Sequence, residues 1–215
     1  MLNIDRQNKQ LLTAYFALLL LFFYPVVFQD FLLLHQNYAL KHNAVLDVVM
    51  IFLSFLGDGA FAYSLIFVLL LYKIRYGFSA LIAVSLSGIL AQLLKRQVFT
   101  DFYRPWHYFK NTGLIEIVEG VKMHSKFSFP SGHSTTAFAL FIFFALISKN
   151  TYLKWGFFVL AILICYSRVY LSQHFFRDIY AGSVLGCTFA IIGFWLFQKN
   201  AKWMDYSPIK KFRKA

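Results

Sequence analysis

Residues 11–28 read LLTAYFALLLLFFYPVVF, a stretch without a single charge. A bilayer core is crossed by ~20 mostly apolar helical residues, so this stretch specifies a membrane span. Working outward, Ala60–Tyr72, Phe78–Leu94, Thr135–Ile147, Trp155–Tyr166 and Ile179–Phe197 are further apolar runs. The shorter ones reach a full span by taking in flanking polar residues. The expected fold is all-α, a polytopic membrane bundle of six transmembrane helices in one domain over residues 1–215. Asp30–Asp58 reads differently. It scatters Asp30, Lys41, Asp47 and Asp58 among Val48, Ile51, Phe52 and Phe55. That spacing predicts an interfacial amphipathic helix ended by Gly57-Asp58-Gly59. As a seventh span it would leave Asp47 in the membrane in need of a partner.

Composition agrees. Hydrophobic residues are 60% and charged residues 14% of the chain, against about 45–50% and 25% in soluble domains. A soluble globule of this size has too little polar surface to cover that excess. Disorder is excluded for the same reason. Cys165 and Cys187 sit in apolar runs and read as buried thiols rather than a disulfide framework. The net charge of +12 fits cationic loops facing anionic lipid better than nucleic-acid binding. No cleavable leader is expected, because the first apolar run is too long and lacks a small-residue cleavage site.

Six spans put both termini on one side. That side carries twelve Lys and Arg residues and the other nine, which places the termini in the cytoplasm. Three polar segments fall on the opposite side. They are 95–105, with Lys95-Arg96 and Arg104-Pro105; 130–133, Pro-Ser-Gly-His; and 167–178, with Ser167-Arg168, His174 and Asp178. All three lie at helix ends, so the bundle brings them to one rim.

These residue types make a phosphate site. Arg104 and Arg168 offer planar forks of donors that match phosphate oxygens in pairs, and Lys95 adds a point charge. Ser131 and Gly132 open a helix, where free N–H groups and the dipole favour an anion. His174 and Asp178 are four apart and share one helix face. A carboxylate on one imidazole nitrogen leaves the other free to attack phosphorus. His133 is the candidate general acid for the leaving oxygen. Taken singly, each residue has a plainer reading: a snorkelling Arg, a capping Ser, an interfacial His. His35, His42, His107 and His124 are left at that plainer reading. No metal site is expected, since there is no His-Glu-x-x-His element and cations crowd the one carboxylate. The fixed strings occurring together, in order and at one rim, outweigh the single readings.

The pattern resembles the type 2 phosphatidic acid phosphatase superfamily, membrane lipid phosphatases related to vanadium haloperoxidases. Its second and third signature parts match at Pro130–His133 and Ser167–Asp178. Its first part has six residues between Lys and Arg-Pro, whereas eight separate Lys95 from Arg104 here, so either Lys95 or Arg96 fills that place. The resemblance implies that His174 forms a phosphohistidine, that Asp178 orients it, and that His133 protonates the leaving group and then activates water. It implies phosphate binding by Lys95, Arg104, Ser131, Gly132 and Arg168, with no metal or other cofactor. The implied substrate is a lipid phosphate or diphosphate: undecaprenyl diphosphate, phosphatidylglycerol phosphate, phosphatidic acid or a lipid A phosphate. The implied place is the plasma membrane, or the bacterial inner membrane, with the site facing the periplasm. A phosphotransferase with an acceptor other than water is the alternative enzyme. A non-enzymatic anion or lipid transporter is the other class, disfavoured because few polar residues fall at mid-membrane depth.

Overall fold

The computed structural model describes residues 4–39, 41–199 and 202–209, and all the regular structure among them is helical. In chain order the helices are α1 (Arg6–Phe28), α2 (Phe31–Tyr38), α3 (Ala44–Leu56), α4 (Gly59–Tyr72), α5 (Ile74–Val98), α6 (Pro105–Phe109), α7 (Gly132–Ile147), α8 (Thr151–Tyr170) and α9 (Phe176–Phe197). Most begin on a short polar side chain that accepts from a free backbone N–H, as capping requires. Asp5 accepts from Asn8, Asn43 from Leu46, Asp58 from Ala60 and Asn150 from Leu153, at 2.7 to 3.1 Å.

Four helices, α1, α5, α8 and α9, are long and apolar enough to cross a membrane. The pair α3 and α4 passes that test together, bent by 54° at the break, which makes five. The apolar helix α7 is shorter. The chain is an integral membrane protein, but by helix length it shows four or five candidate spans where the sequence reading expected six and a separate interfacial helix. The difference lies in α7, which is too short by itself, in α4, which reaches span length only together with α3, and in residues 30–58. Those residues form two helices, and the second continues through the break into α4. Asp47 does not stand alone in the first turn of α3. Its Oδ1 accepts from Tyr170 Oη at 2.7 Å and lies 3.0 Å from His42 Nδ1. With partners supplied by α8 and the preceding loop, the charge no longer bars α3 from joining a span.

The centre of the bundle is α7. From Ala137 to Phe143 every residue is buried, as expected of a helix apolar all round. Helix α9 crosses it closely at two glycines. A Cβ on Gly182 would lie 2.7 Å from the Ser131 carbonyl oxygen, and one on Gly186 would collide with the carbonyl of Thr135. Glycine permits that approach because it has no Cβ. The end remote from the three polar segments is tied by polar contacts. Arg75 donates to both carboxylate oxygens of Asp205, at 3.0 and 2.9 Å, and to the Phe197 carbonyl at 2.7 Å. The buried Lys154 ammonium donates to Asn8 Oδ1 and to the Ala145 carbonyl.

Candidate active site

The other end gathers the last turn of α5, the first turn of α7, the last turn of α8, the loop 171–175 and the first turn of α9. One cavity of about 370 Å³ lies between them. Its wall carries Lys95, Arg104, Gly132, His133, Arg168 and His174, together with Gln92, Lys122, His124 and Gln173.

His174 is held from both sides. The backbone N–H groups of Gln173 and His174 both donate to the Arg168 carbonyl, at 2.9 and 3.1 Å. This folds the loop back over the end of α8. Asp178 sits in the first turn of α9, fully buried, with Oδ2 at 3.3 Å from His174 Nδ1. The same oxygen accepts from the Phe175 backbone N–H at 2.9 Å and from the Ser128 hydroxyl. A proton on Nδ1 therefore faces a carboxylate oxygen, and Nε2 is left with its lone pair. Burial, with Arg104, Lys95 and Arg168 nearby, holds the His174 imidazole well below the usual histidine range. It is neutral at physiological pH, the form that can attack phosphorus.

Three cations face this imidazole. Lys95 lies in a π-helical turn, Leu94–Val98, that closes α5, and its side chain is buried. Such turns shift the register of the residues they carry. Lys95 lines the cavity, whereas Arg96 lines the two neighbouring hollows. Arg104 is aimed by carbonyls: Nε donates to Lys126 O at 3.1 Å, and Nη1 reaches Gln173 O and Oε1, both at 3.3 Å. Arg168 Nη1 donates to the Ser54 hydroxyl of α3, while its buried Nε has no hydrogen-bond partner among the described residues. Buried donors are normally paired, so this one is free for a ligand oxygen. Arg177 is spent otherwise, its guanidinium lying 3.7 Å from the Phe31 ring centre.

At the start of α7, Ser131 is the N-cap, and its backbone N–H donates to the Asp178 carbonyl at 3.0 Å. That bond ties the first turns of α7 and α9 together. Ser131 is buried and sits behind the cavity wall, while Gly132 and His133 form the wall itself. His133 Nε2 faces Asp58 Oδ2 at 3.7 Å, across the break between α3 and α4.

The structure thus brings all eight residues singled out from the sequence to one rim, six lining the cavity and Ser131 and Asp178 behind it. Ser128, Ser54, Gln173 and Asp58 also support the site, and His124 lines its wall, though sequence reading assigned none of them. Gln173 adjoins His174 and was the one within reach of the motif. The others lie in segments whose fold decides what they touch. Among the described residues no group of three or more His, Cys, Asp or Glu side chains is placed to hold a metal ion.

Comparison with known proteins agrees with this layout. The PAP2 superfamily model matches residues 73–202. The chain belongs to the PAP2 superfamily. It is 29% identical over 132 residues to a lipid A 4'-phosphatase of Porphyromonas gingivalis, covering 58% of this chain and 54% of that one. It is 27% identical over 157 residues to the undecaprenyl-diphosphatase BcrC of Bacillus subtilis, covering 73% of this chain and 76% of that one. The crystal structure of a transmembrane PAP2-type phosphatidylglycerolphosphate phosphatase from Bacillus subtilis has the same fold, with a TM-score of 0.66 at 23% identity, over 93% of this chain and 100% of that one. The chain spans about half the length of the lipid A phosphatase it matches.

Proposed function

We propose that the protein is a lipid phosphatase that hydrolyses a lipid phosphate monoester or diphosphate through a phosphohistidine, without a metal. The observation that carries this reading is the cavity in which Lys95, Arg104 and Arg168 face the neutral His174, with His133 on the same wall. His174 Nε2 attacks phosphorus. The cations and the N–H groups opening α7 stabilise charge on the equatorial oxygens. His133, a protonated imidazolium once the anionic substrate and Asp58 flank it, gives that proton to the leaving oxygen, becomes neutral, and then takes one from the attacking water. Asp178 keeps His174 in the reactive tautomer.

Lipid phosphates sit at headgroup depth, as does a rim of helix ends. The excess of cations on the side of the termini supports a cytoplasmic location for them. The site then faces the outside of a plasma membrane, or the periplasm of a bacterial inner membrane. The test is inorganic phosphate release by purified protein from undecaprenyl diphosphate, phosphatidylglycerol phosphate, phosphatidic acid and lipid A, beside His174→Ala. Release without an added acceptor, lost in the variant, supports hydrolysis. Release only when an acceptor is added means phosphotransfer.

A further inference from the structure

A second hollow, of about 710 Å³, adjoins the phosphate cavity, and Gln92, Gly132 and His133 line both. It runs between the α3–α4 break and the outer half of α5. Near the rim its wall carries Arg96 and Gln97. Deeper along α5 it carries Val84, Gly88 and Ile89. A Cβ on Gly88 would meet nothing within 4 Å, and Ile89 is 57% exposed on a membrane-spanning helix. The hollow is charged near the rim and mostly apolar deeper along α5, apart from Tyr63 and Ser85.

In an in-line displacement the leaving oxygen departs on the side away from the nucleophile. Here the nucleophile is His174, and His133, the acid that meets the leaving oxygen, stands where the two cavities join. The leaving group therefore extends into the second hollow. Three cations, Lys95, Arg104 and Arg168, already line the first cavity. Arg96 is a further one, exposed, and among the described residues its side chain has no hydrogen-bond or ion-pair partner. The hollow has one acidic residue, Asp58. One of its oxygens caps α4 at Ala60 N and the other faces His133. An unpaired guanidinium on the wall of a leaving-group hollow matches a leaving group with its own negative charge.

We infer that this hollow binds a lipid monophosphate as leaving group, so that the substrate is a lipid diphosphate whose non-reacting phosphate is held by Arg96. The inference rests on the phosphatase reading above. In the reaction the His174 Nε2–phosphorus bond forms as the bond from the terminal phosphorus to the bridging oxygen breaks. The bridging oxygen keeps the electron pair, takes the proton of His133 and leaves as lipid monophosphate. Water, losing a proton to His133, then cleaves the phosphohistidine to inorganic phosphate and neutral His174.

The test compares farnesyl diphosphate with farnesyl monophosphate, which share one tail, using the purified full chain in detergent. Wild type, Arg96→Gln and Arg96→Lys are assayed for phosphate release. Wild type is expected to favour the diphosphate. In Arg96→Gln the diphosphate-to-monophosphate ratio of kcat/KM should fall by about tenfold to a hundredfold, the range for one hydrogen bond to a charged group. Arg96→Lys should restore part of it. An unchanged ratio in Arg96→Gln, including equal loss on both substrates, overturns the role of Arg96. A wild type that cleaves only monophosphates overturns the inference and leaves the phosphatase reading standing. Release from neither, nor from phosphatidic acid, removes both.

Discussion

The Ser128 hydroxyl donates to Oδ2 of Asp178, the same carboxylate oxygen that faces His174 Nδ1. Fifty residues separate the two in sequence, and both side chains are fully buried. Oδ1 of Asp178 has no hydrogen-bond partner among the described residues. One oxygen thus carries the hydroxyl, the α9 cap and the histidine, and its orientation sets that of the imidazole.

Ser128→Ala removes one of these bonds without removing the carboxylate. A hydrogen bond to a charged group contributes about 1.5–3 kcal/mol, so kcat should fall by about ten- to a hundredfold. KM should change little, because Ser128 does not touch the substrate. Steady-state kinetics on a lipid phosphate would show the split, and a change in KM alone would place Ser128 outside the His174–Asp178 unit.

His174→Ala should abolish turnover. Asp178→Asn should lower kcat by roughly 10³–10⁴-fold, the size of effect seen when a catalytic histidine loses its orienting carboxylate. EDTA should leave wild-type activity intact. Rapid quench with a labelled substrate should trap phosphate that is stable to base and labile to acid. A wild type inactivated by EDTA, or a quench with no trapped phosphate, would rule out the metal-free phosphohistidine route.

Gly182→Ala tests the crossing that sets the site. The added Cβ would sit 2.7 Å from the Ser131 carbonyl oxygen, so α7 must move away from α9. Overpacking of this kind costs about 1–3 kcal/mol, and the shift carries Ser131 and His133 with it. Lower thermal stability and lower kcat are expected together. A fully active, equally stable variant would show that the crossing tolerates a wider gap.

His35, in the short helix α2, predicts a pH effect. It is fully buried, 3.2 Å from Ser172 Oγ and stacked on Phe109. Burial lowers its pKa from 6.5 to about 4. Below pH 6.5 the unfolded chain binds the proton and the folded one does not, so stability is lost as pH falls from about 6.5 to 4. At about 1.4 kcal/mol per unit, the loss amounts to ~3 kcal/mol. His174 acts in the same direction. Melting temperatures of wild type and His35→Gln should therefore differ in slope over this range, with the variant losing less on acidification. Parallel slopes would assign the acid sensitivity to other groups.

The chain by itself determined that this is a helical membrane protein and which helix ends carry its chemistry. Long apolar runs have one low-energy fate in a bilayer. The expected shared helix face of His174 and Asp178 did not form: His174 lies in the loop 171–175 before α9, and the turn at the helix cap brings it 3.3 Å from Asp178 instead. The chain also marked eight residues that do meet at one rim. Three things waited for the tertiary structure. Which of Lys95 and Arg96 faces the cavity beside His174 was settled only by the packed structure: Lys95 lines it, and Arg96 lines the hollows next to it. The stretch 30–58 became two helices, α2 and α3, the second leading through a 54° bend into α4, with Tyr170 and His42 as the partners that Asp47 needs. Ser54, Asp58 and Ser128 reached Arg168, His133 and Asp178 through contacts far apart in sequence. A short polar residue in a loop or at a helix end has the same local pattern whether it caps a turn or holds a catalytic group, and only its packed neighbours decide which.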